Sequence, residues 1–418
     1  MEGTVEHVRL DIPDEQIDWR AKGFWRPGPP IGAAAFAAAR PNLFGGDFTW
    51  PVLVARRTAL ERNIATLADF ARMYGLAFAP HGKTTMAPKL FQAQFDAGAW
   101  AISAATANQV LAYRRFGVPR VLLANELLDP VALGWIADEL DRDPGFDFLC
   151  YADSAATVRR AAETMAARTR TRPLRILVEL GFPGGRTGCR TPDAALDVAR
   201  AVAAAPGLEP AGAAGYEGGL ATGAQVRGLM RRLSEVAGRM RGEGLVDGPP
   251  IVSAGGSAWF DIVADELGGR TDIRAVLRSG SYIAHDDGLY RDSSPFARSG
   301  APDPLIPALE IWAQVTSVPE KRLAIVAMGR REVNSDAGPP VARTLRRRGG
   351  ETQDASGAEV VRLNDHHAYL RTPGGLRPEP GDLVSFGISH PCTVFDHWQF
   401  IPIVEDDHTV TDVLRTYF

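Results

Sequence analysis

The stretch LAFAPHGKTTMAPKLFQAQF, residues 76–95, decides the fold of this 418-residue chain. A short apolar run leads into the turn PHGK, which ends at Lys83, and apolar residues then recur at helical spacing from Met86 to Phe95. This order indicates a buried strand that ends in a polar turn and passes into a helix. The lysine therefore lies at the carboxyl end of the predicted strand.

Seven further apolar runs follow, each ending in a polar or glycine-rich turn before a helical segment. They are WAISAAT (100–106), RVLLANE (120–126), DFLCYAD (147–153), RILVELG (175–181), PAGAAGYEG (210–218), PIVSAGGS (250–257) and IRAVLRSGSYI (273–283). Strands of this kind that alternate with helices indicate a parallel sheet with both faces covered. Eight units in roughly 250 residues match a (β/α)8 TIM barrel in the α/β class. A doubly wound open sheet remains an alternative, because the pattern does not show closure.

The segment before the first run predicts a helix. Thr58 and Glu61 have the spacing of a capping box, in which a hydroxyl and a carboxylate bind free N–H groups at the helix start. Apolar residues then recur on one face at Leu60, Ile64 and Leu67. These residues form one apolar stripe along the predicted helix.

The pattern changes after residue 295. The Ser-, Pro- and Gly-rich stretch SSPFARSGAPDP, residues 293–304, is typical of a linker, and the segments beyond it resemble short strands. We therefore predict an N-terminal segment, 1–45, that packs on one of the two domains. The TIM barrel follows at 46–295, and a smaller C-terminal β domain occupies 296–418.

Composition limits the possible partners. The chain has 46 Lys and Arg residues against 50 Asp and Glu residues, and its net charge of -4 favours neither nucleic acid nor an anionic membrane. The charged N-terminus does not resemble a secretory signal, and no apolar run approaches the roughly 20 residues of a membrane helix. The three cysteines, Cys150, Cys189 and Cys392, are too few for a disulfide framework. A cytoplasmic protein is expected.

Lys83 is the first candidate for chemistry. The carboxyl ends of the strands carry the active site in TIM barrels. A lysine desolvated there has a depressed pKa and becomes a nucleophilic amine suited to Schiff-base chemistry. The alternative is an ordinary surface lysine in a loop, which is the common case for this residue type.

The seventh and eighth predicted strands end in small and hydroxyl residues. The candidates for binding an anion are Ser253, Gly255, Gly256, Ser279 and Gly280. Glycines allow a phosphate to approach the backbone, and free N–H groups and hydroxyls bind its oxygens. TIM barrels often hold phosphate after strands seven and eight. Each motif alone is a common turn, but the two together predict a phosphate site.

A phosphate site and an imine-forming lysine in one barrel mouth indicate pyridoxal 5'-phosphate. Arg186 follows the fifth strand, where its guanidinium is placed to bond the phenolic oxygen of the cofactor; the alternative is an exposed arginine in a glycine-rich loop. Tyr216 ends the sixth strand and is a candidate partner for the pyridine ring, with a buried structural tyrosine as its alternative.

With these residues in place, the chain resembles the fold-type III pyridoxal-phosphate enzymes, specifically the D-threonine aldolase and D-serine dehydratase-like family with an alanine racemase-like barrel. The resemblance covers about residues 48–405 and rests on ordered motifs: residues 51–85 with their Pro-His-x-Lys-Thr run, GGRTG, GYEGG, SAGGS, LRSGSY, NSDAGPP, LNDHHAYL and GISHPCTVFDHW. It implies that Lys83 carries the cofactor and that His81 belongs to the same cofactor site. It also implies a homodimer, in which the β domain of one chain covers the barrel of the other.

His390 and Cys392 are the candidate metal ligands. If the segment is extended, residues two apart point to one side, and imidazole with thiolate suits zinc. Taken alone, the pair is more typical of a buried free cysteine, so the assignment rests on the resemblance. Aldolase members of the family carry a carboxylate at the position of Cys392, with a harder ion such as manganese or magnesium. Dehydratase members carry the cysteine.

The sequence therefore predicts a pyridoxal-phosphate- and zinc-dependent dehydratase. It would convert a D-3-hydroxy amino acid, such as D-serine or D-threonine, to a 2-oxo acid and ammonia, with Lys83 as general base. Three alternatives stay open: an aldolase that releases glycine and an aldehyde, an amino-acid racemase, and a non-catalytic pyridoxal-phosphate carrier. The roughly 120 residues after the linker argue against the carrier, because such proteins lack a β domain.

Overall fold

The computed structural model of the chain describes residues 8–167, 172–298 and 304–418. The strands in these residues are β1 (Gln16–Ile17), β2 (Ile31–Gly32), β3 (Val52–Arg56), β4 (Ala77–Phe78), β5 (Ile102–Ala104), β6 (Arg120–Glu126), β7 (Asp147–Ala152), β8 (Leu174–Leu180), β9 (Leu208–Gly215), β10 (Ile251–Ala254), β11 (Arg274–Leu277), β12 (Leu309–Glu320), β13 (Leu323–Val326), β14 (Val341–Arg346), β15 (Thr352–Asp354), β16 (Glu359–Leu363), β17 (Ala368–Arg371), β18 (Leu383–Gly387), β19 (Phe400–Val404) and β20 (Val410–Arg415).

The α-helices in the same residues are α1 (Ala33–Ala38), α2 (Arg57–Met73), α3 (Pro88–Asp96), α4 (Ala107–Arg115), α5 (Pro130–Arg142), α6 (Ala155–Ala166), α7 (Pro192–Ala204), α8 (Gly223–Gly242), α9 (Phe260–Leu267), α10 (Leu289–Ser293) and α11 (Pro295–Arg298). The chain divides into two compact units. The first comprises residues 8–11, Leu67–Lys83 and Phe91–Gly280, and the second comprises Ile12–Thr66, Thr84–Leu90 and Ser281–Phe418.

The first unit is a closed parallel barrel. Its eight strands lie in the order β4-β11-β10-β9-β8-β7-β6-β5. Hydrogen bonds from Trp100 N to Phe78 O at 2.7 Å and from Ser103 N to Pro80 O at 2.9 Å join β4 to β5. These bonds close the ring, so the predicted TIM barrel is confirmed and the open sheet is excluded. All eight apolar runs form the predicted strands.

The barrel interior is filled by apolar side chains, as the near-continuous apolar runs predict. Its core cluster draws residues from every strand or its immediate flank: Ala79, Ala101, Leu122, Leu149, Tyr151, Leu177, Ala211, Ala214, Ile251 and Val276. Outside the ring, five helices begin at a side chain that accepts a backbone N–H: Thr106, Asp129, Ser154, Thr191 and Thr222. These caps end five of the strand-to-helix loops at a defined residue.

The second unit is an antiparallel β structure. Strands β12, β13, β17, β16, β14 and β18 pair in sequence and return to β12, so they form a closed barrel. The path continues from β12 through β3 and β19 to β20. The predicted C-terminal β domain is therefore present, and its barrel closes through the long strand β12.

Strand β3 belongs to this second sheet, whereas the predicted limit at residue 46 had placed it with the parallel barrel. Its residues pair antiparallel with β12, with Val52 opposite Trp312, and parallel with β19, with Ala55 opposite Ile403. A short apolar run does not reveal which sheet it joins, because both sheets bury such strands. The two partners lie about 250 and 350 residues further along the chain, beyond the reach of any local pattern.

Helix α2 corrects one local prediction. It begins at Arg57, so Thr58 is not its cap; the Thr58 hydroxyl instead bonds the Asp406 carboxylate at 3.3 Å. The predicted capping box is therefore wrong. The apolar face is confirmed, since Leu60, Ile64 and Leu67 are buried. Fully burying each such side chain contributes about 1.5–3 kcal/mol.

The remaining expectations concern the segments between and before the domains. Residues 299–303 of the predicted linker lie outside the described residues, and its earlier part holds the end of α10 and all of α11. The three cysteines are free, as expected. Within the described parts of the chain, none of the helices has the length and apolar character needed to cross a bilayer.

Candidate functional site

A cavity of about 240 Å³ opens in the barrel unit and brings together residues that follow several different strands. It is lined by His81, Lys83, Ala105, Ala124, Asn125, Arg186, Thr187, Tyr216 and Arg278. Because parallel strands all end at one edge of the barrel, the loops after β4, β6, β8, β9 and β11 meet there. Four residues predicted from the sequence to bind a cofactor thus share one cavity: His81, Lys83, Arg186 and Tyr216.

Lys83 lies in a short 3-10 turn, Gly82–Thr84, directly after the first barrel strand. Its side chain lines the cavity, as predicted, but the residue is exposed in the single chain. The expected desolvation of this amine is therefore wrong for the isolated chain. The 3-10 turn carries the side chain past the end of the packed strand, where apolar neighbours no longer surround it.

His81 is enclosed far more deeply than Lys83. Burial, and then the nearby charge of Lys83, hold the pKa of its imidazole well below the usual range, so the ring is neutral. The imidazole is hydrogen bonded to the backbone of Ser103, whereas Nδ1 has no partner among the described residues. A buried ring nitrogen without a partner is a place where a ligand can supply the missing bond.

Gly280 packs directly against His81. A Cβ atom on this glycine would lie 2.6 Å from His81 Cβ and 2.8 Å from His81 O. Real Cβ contacts are not this short, so the position requires glycine. The sequence analysis assigned this glycine to phosphate binding. The structure gives a second reason for a glycine at this position, because the turn after the first barrel strand lies too close to leave room for a side chain.

Arg186 and Tyr216 contact each other across the cavity wall. The guanidinium carbon lies 4.4 Å from the centroid of the tyrosine ring, a cation–π geometry. Tyr216 is 38% exposed, so the alternative of a buried structural tyrosine is excluded. Arg186 is exposed as well, and both side chains line the cavity as a stacked pair.

The glycine turn after β10 differs from the prediction. The amides of Gly255 and Gly256 donate to the carboxylate of Glu217, at 3.1 Å and 2.5 Å. The Ser253 and Ser279 hydroxyls donate to backbone carbonyls. The expectation that these groups are free to donate to phosphate is therefore wrong. A buried carboxylate that two amides bind fixes the turn instead.

Two residues of the site, Glu217 and Arg278, were not predicted from the sequence. Glu217 is fully buried, although it follows an exposed tyrosine. Arg278 lines the cavity; its Nη2 donates to the Gly215 carbonyl, and its Nε has no partner among the described residues. The available signal was an arginine that ends the apolar run AVL of β11, since a charge in that place is rarely buried without a function.

The charges around the cavity favour an anionic ligand. Lys83, Arg186 and Arg278 line it, and no carboxylate does so among the described residues. Pyridoxal phosphate suits this set, because it carries an anionic phosphate, a phenolic oxygen and an aldehyde that reacts with an amine. The unpartnered nitrogens of His81 and Arg278 would also gain hydrogen-bond partners from it.

The proposed metal ligands lie in the second unit. His390 and Cys392 are hydrogen bonded to each other, and His390 Nδ1 lies 2.6 Å from the Asp336 carboxylate. These contacts raise the pKa of His390 to about 9, and the hydrogen bond with Cys392 is the largest cause. The expected extended segment is wrong, since Pro391–Thr393 forms a 3-10 turn. Proline at the first position of a helical turn favours this geometry.

The donors fit a metal ion in part. An imidazole and a thiol lie side by side, and Thr84 Oγ1 is 3.6 Å from Cys392 Sγ. The described residues contain no group of three or more His, Cys, Asp or Glu side chains that could hold a metal. A nitrogen and a sulfur ligand suit zinc, and the open remainder of the shell is typical of a catalytic site.

Comparisons with known proteins identify similar sequences and folds. Residues 308–404 match the family model described as a putative serine dehydratase domain. The 3-hydroxy-D-aspartate aldolase of Paracoccus denitrificans is 28% identical over 81% of this chain and 84% of its own. The crystal structure of D-threonine aldolase from Filomicrobium marinum superposes with a TM-score of 0.74 at 23% identity, covering 88% of this chain and 95% of that one.

The D-threo-3-hydroxyaspartate dehydratase of Delftia sp. HT23 has the same fold, with a TM-score of 0.69 and 21% identity, covering 88% of this chain and 97% of that one. Two variants of a dehydratase with this name have also been solved. One replaces a histidine with alanine, and the other replaces a cysteine two positions further along and is metal-free. At these identities the solved structures establish the fold of this chain.

Proposed function

Because this chain belongs to the fold-type III pyridoxal-phosphate enzymes, in the family of D-threonine aldolase and D-serine dehydratase-like proteins, we propose that it is a metal-dependent D-3-hydroxy amino acid dehydratase. The predicted class, a pyridoxal-phosphate-dependent lyase, is confirmed by its relatives. The proposed reaction removes water from the substrate. The dehydrated product then takes up one water and releases ammonia, which leaves a 2-oxo acid.

The observation that supports this proposal is the cavity with Lys83, Arg186 and Arg278 on its wall and no carboxylate among the described lining residues. When bound, pyridoxal phosphate supplies an electron sink for negative charge on the substrate α-carbon. The cations would bind the anionic groups of cofactor and substrate. The Lys83 amine would take the proton from the α-carbon as general base.

The other lining residues orient the bound molecules. Arg186 would donate to the phenolic oxygen, and its stack on Tyr216 fixes the guanidinium plane beside the ring site. His81, neutral because it is buried, can donate or accept a hydrogen bond without adding charge. The phosphate would lie beside the turns that carry the predicted residues Ser253, Gly255, Gly256, Ser279 and Gly280. Any phosphate contact there would use amides that Glu217 does not bind.

His390 and Cys392 would hold the metal ion, for which we propose zinc. The ion would supply Lewis-acid polarisation of the substrate β-hydroxyl, which makes it a better leaving group. The thiol favours a borderline-soft ion over manganese or magnesium. The dehydratase variants described above also place a histidine and a cysteine two positions apart, and the cysteine variant is metal-free.

An aldolase reaction is the second candidate, because the curated relatives at 28% and 26% identity are 3-hydroxy-D-aspartate aldolases. The same cavity would serve it, since both reactions develop negative charge at the α-carbon. In the aldolase reaction the base would take the proton of the β-hydroxyl instead of the α-proton, and the α-carbon would gain a proton after the bond breaks. The difference is whether the β-carbon loses its hydroxyl or its bond to the α-carbon. Cys392 favours the dehydratase.

We also propose a homodimer. Lys83 is exposed in the single chain, although an amine of this kind works best shielded from water. A second subunit that covers the barrel mouth would supply this shielding. Light scattering on the purified protein tests the assembly, and a monomer at assay concentration would contradict it.

Products distinguish the two reactions. The purified protein, loaded with pyridoxal phosphate and zinc, is offered D-serine, D-threonine and D-threo-3-hydroxyaspartate, and ammonia and glycine are measured separately. A 2-oxo acid assay alone is insufficient, because cleavage of hydroxyaspartate gives glyoxylate, which is itself a 2-oxo acid. Ammonia without glycine supports the dehydratase; glycine without ammonia supports the aldolase.

The assignment of Lys83 is tested by a matched pair of variants. Lys83→Ala is compared with Lys321→Ala, an exposed lysine between β12 and β13. After borohydride reduction, wild type and Lys321→Ala should carry the cofactor covalently on Lys83, as read by peptide mass. Cofactor attached at another lysine, or activity of Lys83→Ala equal to wild type, would refute the assigned role.

A further inference from the structure

We infer that Asp336 is a positioning residue for the metal site, where it holds His390 so that the second ring nitrogen faces the ion beside Cys392. The inference rests on the proposed metal site and assigns a role to the motif NSDAGPP, residues 334–340, which none of the proposed chemistry explains. Asp336 would not touch the ion. It would act through His390.

The contact between the two side chains is short and directional. Asp336 Oδ2 lies 2.6 Å from Nδ1 of His390. If Nδ1 carries the proton and donates it to the carboxylate, Nε2 is left with its lone pair free. That tautomer is the one a metal ligand needs, and a carboxylate on the far nitrogen also makes the imidazole a stronger donor.

Asp336 is itself held in place. The Thr393 hydroxyl donates to Asp336 Oδ1 at 3.3 Å, and the Asn334 side-chain amide donates to the Thr393 carbonyl. Asn334 Oδ1 in turn lies 2.8 Å from Nε2 of His397. The chain of contacts therefore runs on both sides of Cys392, from residue 390 to residue 397, and ties the turn that carries both ligands to the motif.

The base of the motif is anchored in the β domain. Glu332 is 3% exposed; its Oε2 accepts the Gly329 amide at 2.9 Å, and its carbonyl accepts Trp398 Nε1 at 2.9 Å. The hairpin turn between β16 and β17 is hydrogen bonded to the same segment: Arg330 N donates to the Asn364 carbonyl at 2.9 Å. The segment that presents Asp336 is thus rigid, which a positioning residue requires.

The alternative role for Asp336 is that of a direct third ligand. The contacts of its carboxylate argue against this, because Oδ2 is bound to His390 Nδ1 and Oδ1 accepts the Thr393 hydroxyl. The two roles make different predictions. Loss of a direct ligand changes the coordination geometry of the ion, whereas loss of a positioning residue weakens binding with the geometry retained.

The test measures metal binding rather than turnover. The metal-stripped protein is titrated with Zn²⁺ against a chromophoric chelator, and with Co²⁺, whose absorption reports thiolate ligation and geometry. The variants are Asp336→Asn, which keeps the shape of the side chain, and Asp336→Ala. Asp396→Asn is the matched control: its carboxylate lies beside His397 at 3.9 Å and does not bond His390. Circular dichroism verifies that each variant is folded.

Asp336→Asn should bind Zn²⁺ about 10–100-fold more weakly than wild type, the usual effect of losing such a partner. Its Co²⁺ spectrum should keep the thiolate band and the band positions of wild type, and Asp396→Asn should match wild type in both. Equal Zn²⁺ affinity of wild type and Asp336→Asn, or a changed Co²⁺ geometry, would overturn the inference. Failure of the wild type to bind either ion would instead reject the metal site itself.

Discussion

The guanidinium of Arg186 lies over the ring of Tyr216, 4.4 Å from its centroid, so two residues that the sequence suggested separately form one wall of the cavity. Arg186 follows β8 and Tyr216 follows β9, and these strands are neighbours in the barrel. A side chain that stacks on its neighbour keeps one orientation, which is what recognition of a planar ligand needs.

This pair predicts unequal effects of two substitutions. Tyr216→Phe keeps the ring under the guanidinium, whereas Tyr216→Ala removes it. An exposed cation–π contact contributes about 0.5–1 kcal/mol, so Tyr216→Ala should bind pyridoxal phosphate roughly two- to five-fold more weakly through this contact alone. Titration of the cofactor-free protein by absorbance measures the difference. If the two variants bind equally, the stack has no role in orienting Arg186.

Glu217 predicts a loss of stability. Its carboxylate accepts two amides and is fully buried, and hydrogen bonds to a charged group contribute about 1.5–3 kcal/mol each. Glu217→Gln places an amide nitrogen against one of these donors. We expect a clear drop in the free energy of unfolding and weaker cofactor binding, measured by denaturant titration and absorbance. Glu235→Gln, at an exposed site on α8, is the control. Unchanged unfolding of Glu217→Gln would show that the turn does not need its carboxylate.

The contact between Gly280 and His81 predicts opposite signs for two glycine substitutions. Gly280→Ala would force the turn away from His81. Gly228→Ala, in the middle of α8, meets nothing within 4 Å, so alanine should stabilise the helix by about 0.5–1 kcal/mol. Melting temperatures should therefore fall for the first variant and rise slightly for the second. A Gly280→Ala protein as stable as wild type would contradict the close packing at this position.

The pH dependence of stability is set in part by Glu126. The pKa of Glu126 is raised from 4.5 to about 8. Burial is the largest cause, and the negative charge of Glu179 is the second. The folded chain thus keeps a proton that the unfolded chain loses at lower pH. The stabilisation is complete below about pH 4.5 and is lost as the pH rises through about 8.

Glu126→Gln should remove this dependence. Relative to wild type, the variant should gain unfolding free energy as the pH rises from about 5 to about 9, because the neutral amide does not ionise. Denaturant titrations at a series of pH values measure it, with Glu163→Gln, an exposed site on α6, as the control. If the difference in unfolding free energy between Glu126→Gln and wild type stays constant with pH, Glu126 is not the group whose raised pKa sets the pH dependence.

The sequence was sufficient for elements whose signal is local. The eight barrel strands follow from apolar runs that end in glycine or polar turns, and the loops after β4, β8 and β9 bring Lys83, Arg186 and Tyr216 together, as the parallel topology requires. Ring closure needed the bonds from Trp100 to Phe78 and from Ser103 to Pro80, which no pattern in the sequence reports.

Two of the errors share a cause, which is a partner distant in sequence. Thr58 looks like a cap because its local spacing is right, but Asp406 takes its hydroxyl. The amides of Gly255 and Gly256 look free until Glu217, from another strand, binds them. The His-Pro-Cys segment bends because proline begins a turn. That cause is local, whereas in the first two cases a tertiary contact outweighed the local pattern.

The position of β3 has a consequence for how the protein is made. Its residues Val52–Arg56 leave the ribosome early, but β12 and β19, between which they lie, are synthesised about 250 and 350 residues later. Pairings this distant form slowly, and an apolar strand without partners invites association with other chains. Until β19 has emerged, the nascent chain carries an apolar strand that lacks one of its two partners, and such a strand is a binding site for chaperones.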